Sequence, residues 1–285
     1  MDNLYKLQEI ADKHLTNNDI VPKDLISSIK QLTNEKGFIG LAQINPAAGD
    51  IEYNAKKIAE YIKYSSEIGL DMVVFPELSL VGSPLGDTFQ KFPIIVDENI
   101  KWLNGLAKIT KETSAIVGFI DKEFDGVKER YYDSVAILKN GQICKTIRKK
   151  QYIGTLSDYK YFSSLNTDTA QENQYEKYKI IIGNDIDNIE CNVDSYIIIN
   201  PSITNNIENI SGSLSDISKK NNTSILYVNR VGADDSTSFS GGSCAYSSKG
   251  ELIAIAKSFE EQLLIINPNK NIGKVYTINI SSNDN

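Results

Sequence analysis

Histidine is almost absent: the 285 residues contain one, His14. A lone histidine in the N-terminal stretch excludes Ser–His–Asp and Cys–His catalysis, which need an imidazole beside the nucleophile, and most multi-histidine metal sites. Cysteine is sparse: Cys144, Cys191 and Cys244 are odd in number, far apart and form no CxxC pair, so neither a disulfide framework nor a zinc site is expected. Met1 to Thr33 holds no long apolar run, so no signal peptide or membrane span is read there, and a cytoplasmic setting is expected. A basic excess is missing too. The formal net charge is -7 and the pI about 5.0; the longest basic cluster is Arg148-Lys149-Lys150. Phosphate backbones and anionic membranes are poor partners for such a chain. Acid–base work is left to Glu, Asp, Lys or Tyr, and no metal or cofactor is expected.

What is present reads as one α/β domain. Apolar residues make up 41% and charged residues 24%, ordinary globular values. Phe38–Ile44 and Met72–Phe75 are apolar on both faces, as buried strands are, and the helix between them has Asp50 as N-cap and Gly69 as C′ residue. A helix near 98–112 and a strand at Ala115–Ile120 follow. Asn140-Gly141 marks a hairpin between Ser134–Leu138 and Ile143–Ile147. Residues 157–177 read as a loop on the active face. Further strands are expected at Lys179–Ile182, Tyr196–Ile199, Ile225–Val228, Ser243–Tyr246, Leu252–Ala256 and Leu263–Ile266, with a helix near 209–220. Strands alternating with helices, with inserted hairpins and no linker or repeat, imply a mixed-sheet domain over 37–267. Residues 1–36 form a polar helical extension, and 268–285 a weakly structured tail.

Several places could carry chemistry. Glu77 follows a buried strand at its carboxyl end, where ligands of α/β sheets tend to bind; it could equally cap the next turn. Lys149 follows the strand Ile143–Ile147, yet within Arg-Lys-Lys it also reads as a solvated charge. Gly183 ends the strand Lys179–Ile182, where a glycine usually serves a turn. Gly241-Gly242 lacks dinucleotide-fingerprint spacing and marks a tight approach to a strand.

Read in order, these segments resemble the nitrilase (carbon–nitrogen hydrolase) superfamily, in the version found in the glutaminase domain of glutamine-dependent NAD synthetases. The resemblance rests on Leu41-Ala42-Gln43-Ile44-Asn45-Pro46, Val73-Val74-Phe75-Pro76-Glu77-Leu78, Val117-Gly118-Phe119, Asp133-Ser134-Val135-Ala136-Ile137-Leu138, Arg148-Lys149, Tyr161-Phe162, Asn200-Pro201-Ser202, Tyr227-Val228-Asn229-Arg230-Val231-Gly232 and Phe239-Ser240-Gly241-Gly242-Ser243. It implies a four-layer α-β-β-α sandwich. It also implies a glutamate base at Glu77, an oxyanion-stabilising lysine at Lys149, and a cysteine nucleophile that forms an acyl-enzyme and releases ammonia. Asp158, Tyr161, Asn184 and Ser202 fall at positions expected to bind substrate.

The nucleophile position departs from the pattern. Where the family has an Ile-Cys-Glu-Asp type stretch, this chain has Ile182-Gly183-Asn184-Asp185. Glycine cannot form a thioester. Cys191 lies eight residues further on, and Cys144 and Cys244 read as packing residues within strands. The Gln151–Tyr161 loop is shorter than the family's, and basic residues are absent from Ile203–Ile210. No SGGxDS-type phosphate-binding stretch occurs, so these residues are not expected to make NAD themselves. Three readings follow: a pseudoenzyme acting by binding or assembly; an amidohydrolase or glutaminase whose nucleophile cysteine has been replaced at position 183; or a hydrolase in which Glu77 and Lys149 activate water. The expected partners are a small amide or glutamine-like ligand, a second copy of the chain in a homodimer or higher oligomer, and a separate synthetase subunit.

Overall fold

The computed structural model describes residues 23–150, 160–165, 173–183, 189, 193–200, 207–234 and 237–277. Two sheets stack face to face. The first has seven strands, in spatial order β15 (Ile272–Tyr276), β14 (Gln262–Asn267), β1 (Ile39–Gln43), β2 (Met72–Val74), β3 (Ser114–Phe124), β4 (Glu129–Lys139) and β5 (Gln142–Arg148). The second has six: β13 (Leu252–Ile255), β12 (Cys244–Tyr246), β9 (Ser224–Val228), β8 (Ser195–Ile199), β7 (Tyr178–Ile182) and β6 (Gln174–Tyr175). A two-stranded ribbon, β10 (Val231–Asp234) with β11 (Thr237–Ser240), stands apart from both.

Pleating explains the layers, because alternate side chains leave a strand on opposite faces. Leu41, Val74, Ile116 and Ile137 from one sheet meet Ile180, Ile182, Ile197, Ile199 and Val228 from the other. The opposite face of the first sheet packs Ala42, Val73, Ala115 and Val117 against helices α2 (Ile51–Glu67) and α4 (Ile94–Ile109). The short helix α3 (Thr88–Lys91) lies just before α4. The outer face of the second sheet sets Ile181, Ile198 and Tyr227 against Leu214 of α5 (Ile207–Asn221). The result is the α-β-β-α sandwich that the sequence implied.

Local signals work as expected. The Asp50 carboxylate accepts from the Tyr53 amide at 3.1 Å, and Gly69 ends α2 with φ +77. Asn140 and Gly141 take φ 51 and 81 in the β4–β5 turn, the left-handed pair that a two-residue hairpin needs. Other expectations need correcting. Helix α1 (Lys23–Leu32), in the extension, packs into the same core through fully buried Ile29. The tail expected to be weakly structured holds β15, which extends the first sheet beside β14. The 157–177 loop includes β6, which pairs with β7. Cys244 is a packing residue, its thiol pushed up to about 12 by burial. Cys144 is exposed on the edge strand β5 and packs no core.

Candidate active site

Strands β2, β4 and β5 of the first sheet deliver three ionisable side chains to one place. β2 ends at Val74, and the chain turns over β3 through Pro76-Glu77-Leu78. A Cβ on Gly118 would stand 2.5 Å from both the Pro76 carbonyl oxygen and the Leu78 nitrogen, so the turn can lie on β3 only because residue 118 has no side chain. Leu78 takes φ 50, the Gly118 amide donates to Ser79 Oγ at 3.2 Å, and the Leu80 amide donates to the Gly118 carbonyl at 2.9 Å. Glu77 is thereby fixed at the strand end. Lys149 follows β5, and its amide donates to the Asp133 carbonyl of β4 at 2.9 Å.

The side chains close on one another. Lys149 Nζ lies 2.8 Å from Glu77 Oε1 and 3.5 Å from Asp133 Oδ2, and none of the three side chains is exposed to solvent. Charges so enclosed survive only when paired. Burial, reinforced by the neighbouring Glu77 carboxylate, raises Asp133 well above the usual carboxylate range, while Lys149 opposes the shift. The buried environment thus favours the protonated form of Asp133. The surface-charge reading of Lys149 and the turn-capping reading of Glu77 both give way to this geometry. Asp133 was legible only as part of a matching strand; its one signal as a site residue was a buried-strand acid just ahead of the apolar run Val135–Leu138.

Gly183 comes from the facing sheet, at the end of β7. It is buried, with φ +86, and its amide donates to the Ile199 carbonyl of β8 at 2.7 Å. A Cβ built there would stand 2.6 Å from Lys149 Cε, 2.7 Å from Lys149 Nζ and 3.8 Å from Glu77 Oε2. The structure thus brings Glu77, Lys149 and Gly183 together, with the lysine end filling the space where a side chain at 183 would begin. Tyr161 goes elsewhere: its ring sits edge-on to Phe89 of α3 at 6.3 Å, and its carbonyl accepts from Gln90 at 2.8 Å. Asp158, Asn184, Ser202 and Cys191 lie outside the described residues. Among the described residues, no group of three or more His, Cys, Asp or Glu could hold a metal ion, and no helix is long and apolar enough to cross a membrane.

The segments around Asn229 and Gly241 bind the strand ends together. Gln43 donates to the carbonyls of Lys257 at 2.7 Å and Glu260 at 2.9 Å, and accepts from the Ser243 amide at 2.9 Å. A Cβ on Gly241 would collide with the Gln43 amide. Buried Arg230 donates to the carbonyls of Ser83 and Pro46 and to the Asp234 carboxylate. It thereby ties the chain that follows Glu77 to the end of β1 and to β10.

A two-sheet sandwich flanked by helices, with a buried glutamate–lysine pair at the strand ends, defines a hydrolase fold of the nitrilase type. The carbon-nitrogen hydrolase family model matches residues 38–191, and the chain belongs to that family. It is 31% identical over 241 residues to the glutamine-dependent NAD(+) synthetase of Aquifex aeolicus, covering 79% of this chain and 41% of that protein. The structure of the glutamine-dependent NAD+ synthetase from Acinetobacter baumannii superposes with a TM-score of 0.75 at 25% identity, over 85% of this chain and 48% of the other. An amidase from Nesterenkonia sp. superposes at 0.67 and 17% identity over 82% and 91% of the two chains, a likeness of fold alone. The chain spans less than half the length of the NAD(+) synthetases it matches.

Proposed function

We propose that this protein is a member of the carbon–nitrogen hydrolase family that does not hydrolyse amides by the covalent route, and that it acts by binding or assembly. The observation that carries this is Gly183: the residue facing the Glu77–Lys149 pair has no side chain, and Lys149 fills the place where one would start. Without a thiol there is no acyl-enzyme, and the two easier steps into which it divides hydrolysis are lost. A small amide or glutamine-like molecule is the ligand class in keeping with the synthetase relatives, and a second copy or a separate synthetase subunit is the partner class. A cytoplasmic setting goes with this reading.

A second reading has one observation in its favour. Glu77 and Lys149 remain in hydrogen-bond contact at 2.8 Å, an acid–base pair that could activate water. Calorimetric titration of glutamine and simple amides, with ammonia measured on the same samples, separates the two. Heat of binding without ammonia is the expected result; steady ammonia release would favour water activation.

A further inference from the structure

The Lys149 amine stands where the family's nucleophile would begin, with the carboxyl groups of Glu77 and Asp133 beside it. From this we propose that Lys149 is a carbonyl-capturing amine, which forms a reversible imine with small neutral aldehydes or ketones. The inference rests on the reading that residue 183 supplies no nucleophile.

The placement is specific. Lys149 Nζ would be 2.7 Å from a Cβ at 183, so an electrophilic carbon presented to residue 183 meets nitrogen instead. Glu77 Oε1, at 2.8 Å, takes a proton from the ammonium and frees the lone pair. A nitrogen–carbon bond forms as the carbonyl π bond opens onto oxygen, giving a carbinolamine. Its carbon–oxygen bond then breaks and water leaves. Two protons depart from the lysine nitrogen through Glu77, and both end on that water. An ammonium and a carbonyl compound become a protonated imine and water, with no change in net charge and no oxidant or reductant. Asp133 Oδ2 lies 3.5 Å from the same amine and is a second proton relay in the proposal. Burial of the three side chains disfavours hydrolysis of the adduct and confines the proposal to small carbonyl compounds. Neutral ones are favoured because the ammonium is already balanced by Glu77.

The test is reductive trapping. The full chain is incubated with limiting acetaldehyde and sodium cyanoborohydride, then digested and mapped by mass spectrometry. The expected result is an adduct concentrated on the Lys149 peptide, above exposed lysines such as Lys101 and Lys257, and a loss of that preference when the chain is unfolded first. In Gly183→Ala the new Cβ displaces the amine, so Lys149 labelling is lost; Glu77→Gln, which keeps the shape but removes the proton acceptor, also lowers it. Melting curves confirm that each variant is folded. Labelling of surface lysines with Lys149 unmodified, or Lys149 labelling unchanged in Gly183→Ala, overturns the proposal. Ammonia release from glutamine by the same native sample bears on the proposed function alone, so the two readings fail separately.

Discussion

At the scale of single residues, the site is a problem of charge. Glu77 and Asp133 face one ammonium inside a solvent-free cluster, and removing one member of a buried pair typically destabilises by about 3–5 kcal/mol because its partner is left enclosed and unpaired. Lys149→Met, which leaves two acids together, is expected to lose stability in that range by urea unfolding. Glu77→Gln should lose less, because Asp133 can release its proton and pair with Lys149. The same logic gives a pH dependence. Folded Asp133 keeps a proton that the unfolded chain releases near its ordinary value of 3.8. Above that value the folded state binds more protons than the unfolded one, so this group makes stability fall as pH rises. Asp133→Asn mimics the protonated acid and should flatten the decline that begins above about pH 4. The flattening is partial, because Glu60, pushed up to about 7 by burial, contributes with the same sign.

Elements decide where those residues stand, and two glycines carry much of the positioning. Gly118 lets the Glu77 turn lie on β3. Gly118→Ala forces the backbone of 76–78 away, and should destabilise by about 1–3 kcal/mol, as overpacking does, while moving the carboxylate off Lys149. Gly141, at φ +81, closes the β4–β5 turn at the end of the hairpin away from Asp133 and Lys149; Gly141→Val should lower the melting temperature without altering the site's chemistry. Strands and turns of this kind were legible in the sequence because their signals are local: alternation, Asn-Gly, an aspartate N-cap. The β10–β11 ribbon and β15 were not, since short polar strands owe their pairing to neighbours distant in sequence. The nearness of Asp133 to Lys149 was hidden for the same reason, as it depends on the register between β4 and β5. Tyr161 packs edge-on to Phe89 of α3, a contact between residues distant in sequence that no local signal announced.

For the whole molecule, the sandwich does two things at once. Its inter-sheet core of apolar side chains excludes water from the strand ends, which strengthens every electrostatic contact there. Its two sheets also supply the site from opposite sides, Glu77, Asp133 and Lys149 from one and Gly183 from the other. Glu77, Asp133 and Lys149 thus meet opposite a position, Gly183, that carries no side chain. The most direct measurement is ammonia release from glutamine and a panel of simple amides, by the native chain and by Gly183→Cys. The native chain is expected to release none above background, whatever the Gly183→Cys variant does once its thiol has displaced the lysine end. Turnover by the native chain would contradict the account and move the nucleophile from residue 183 to water activated by Glu77.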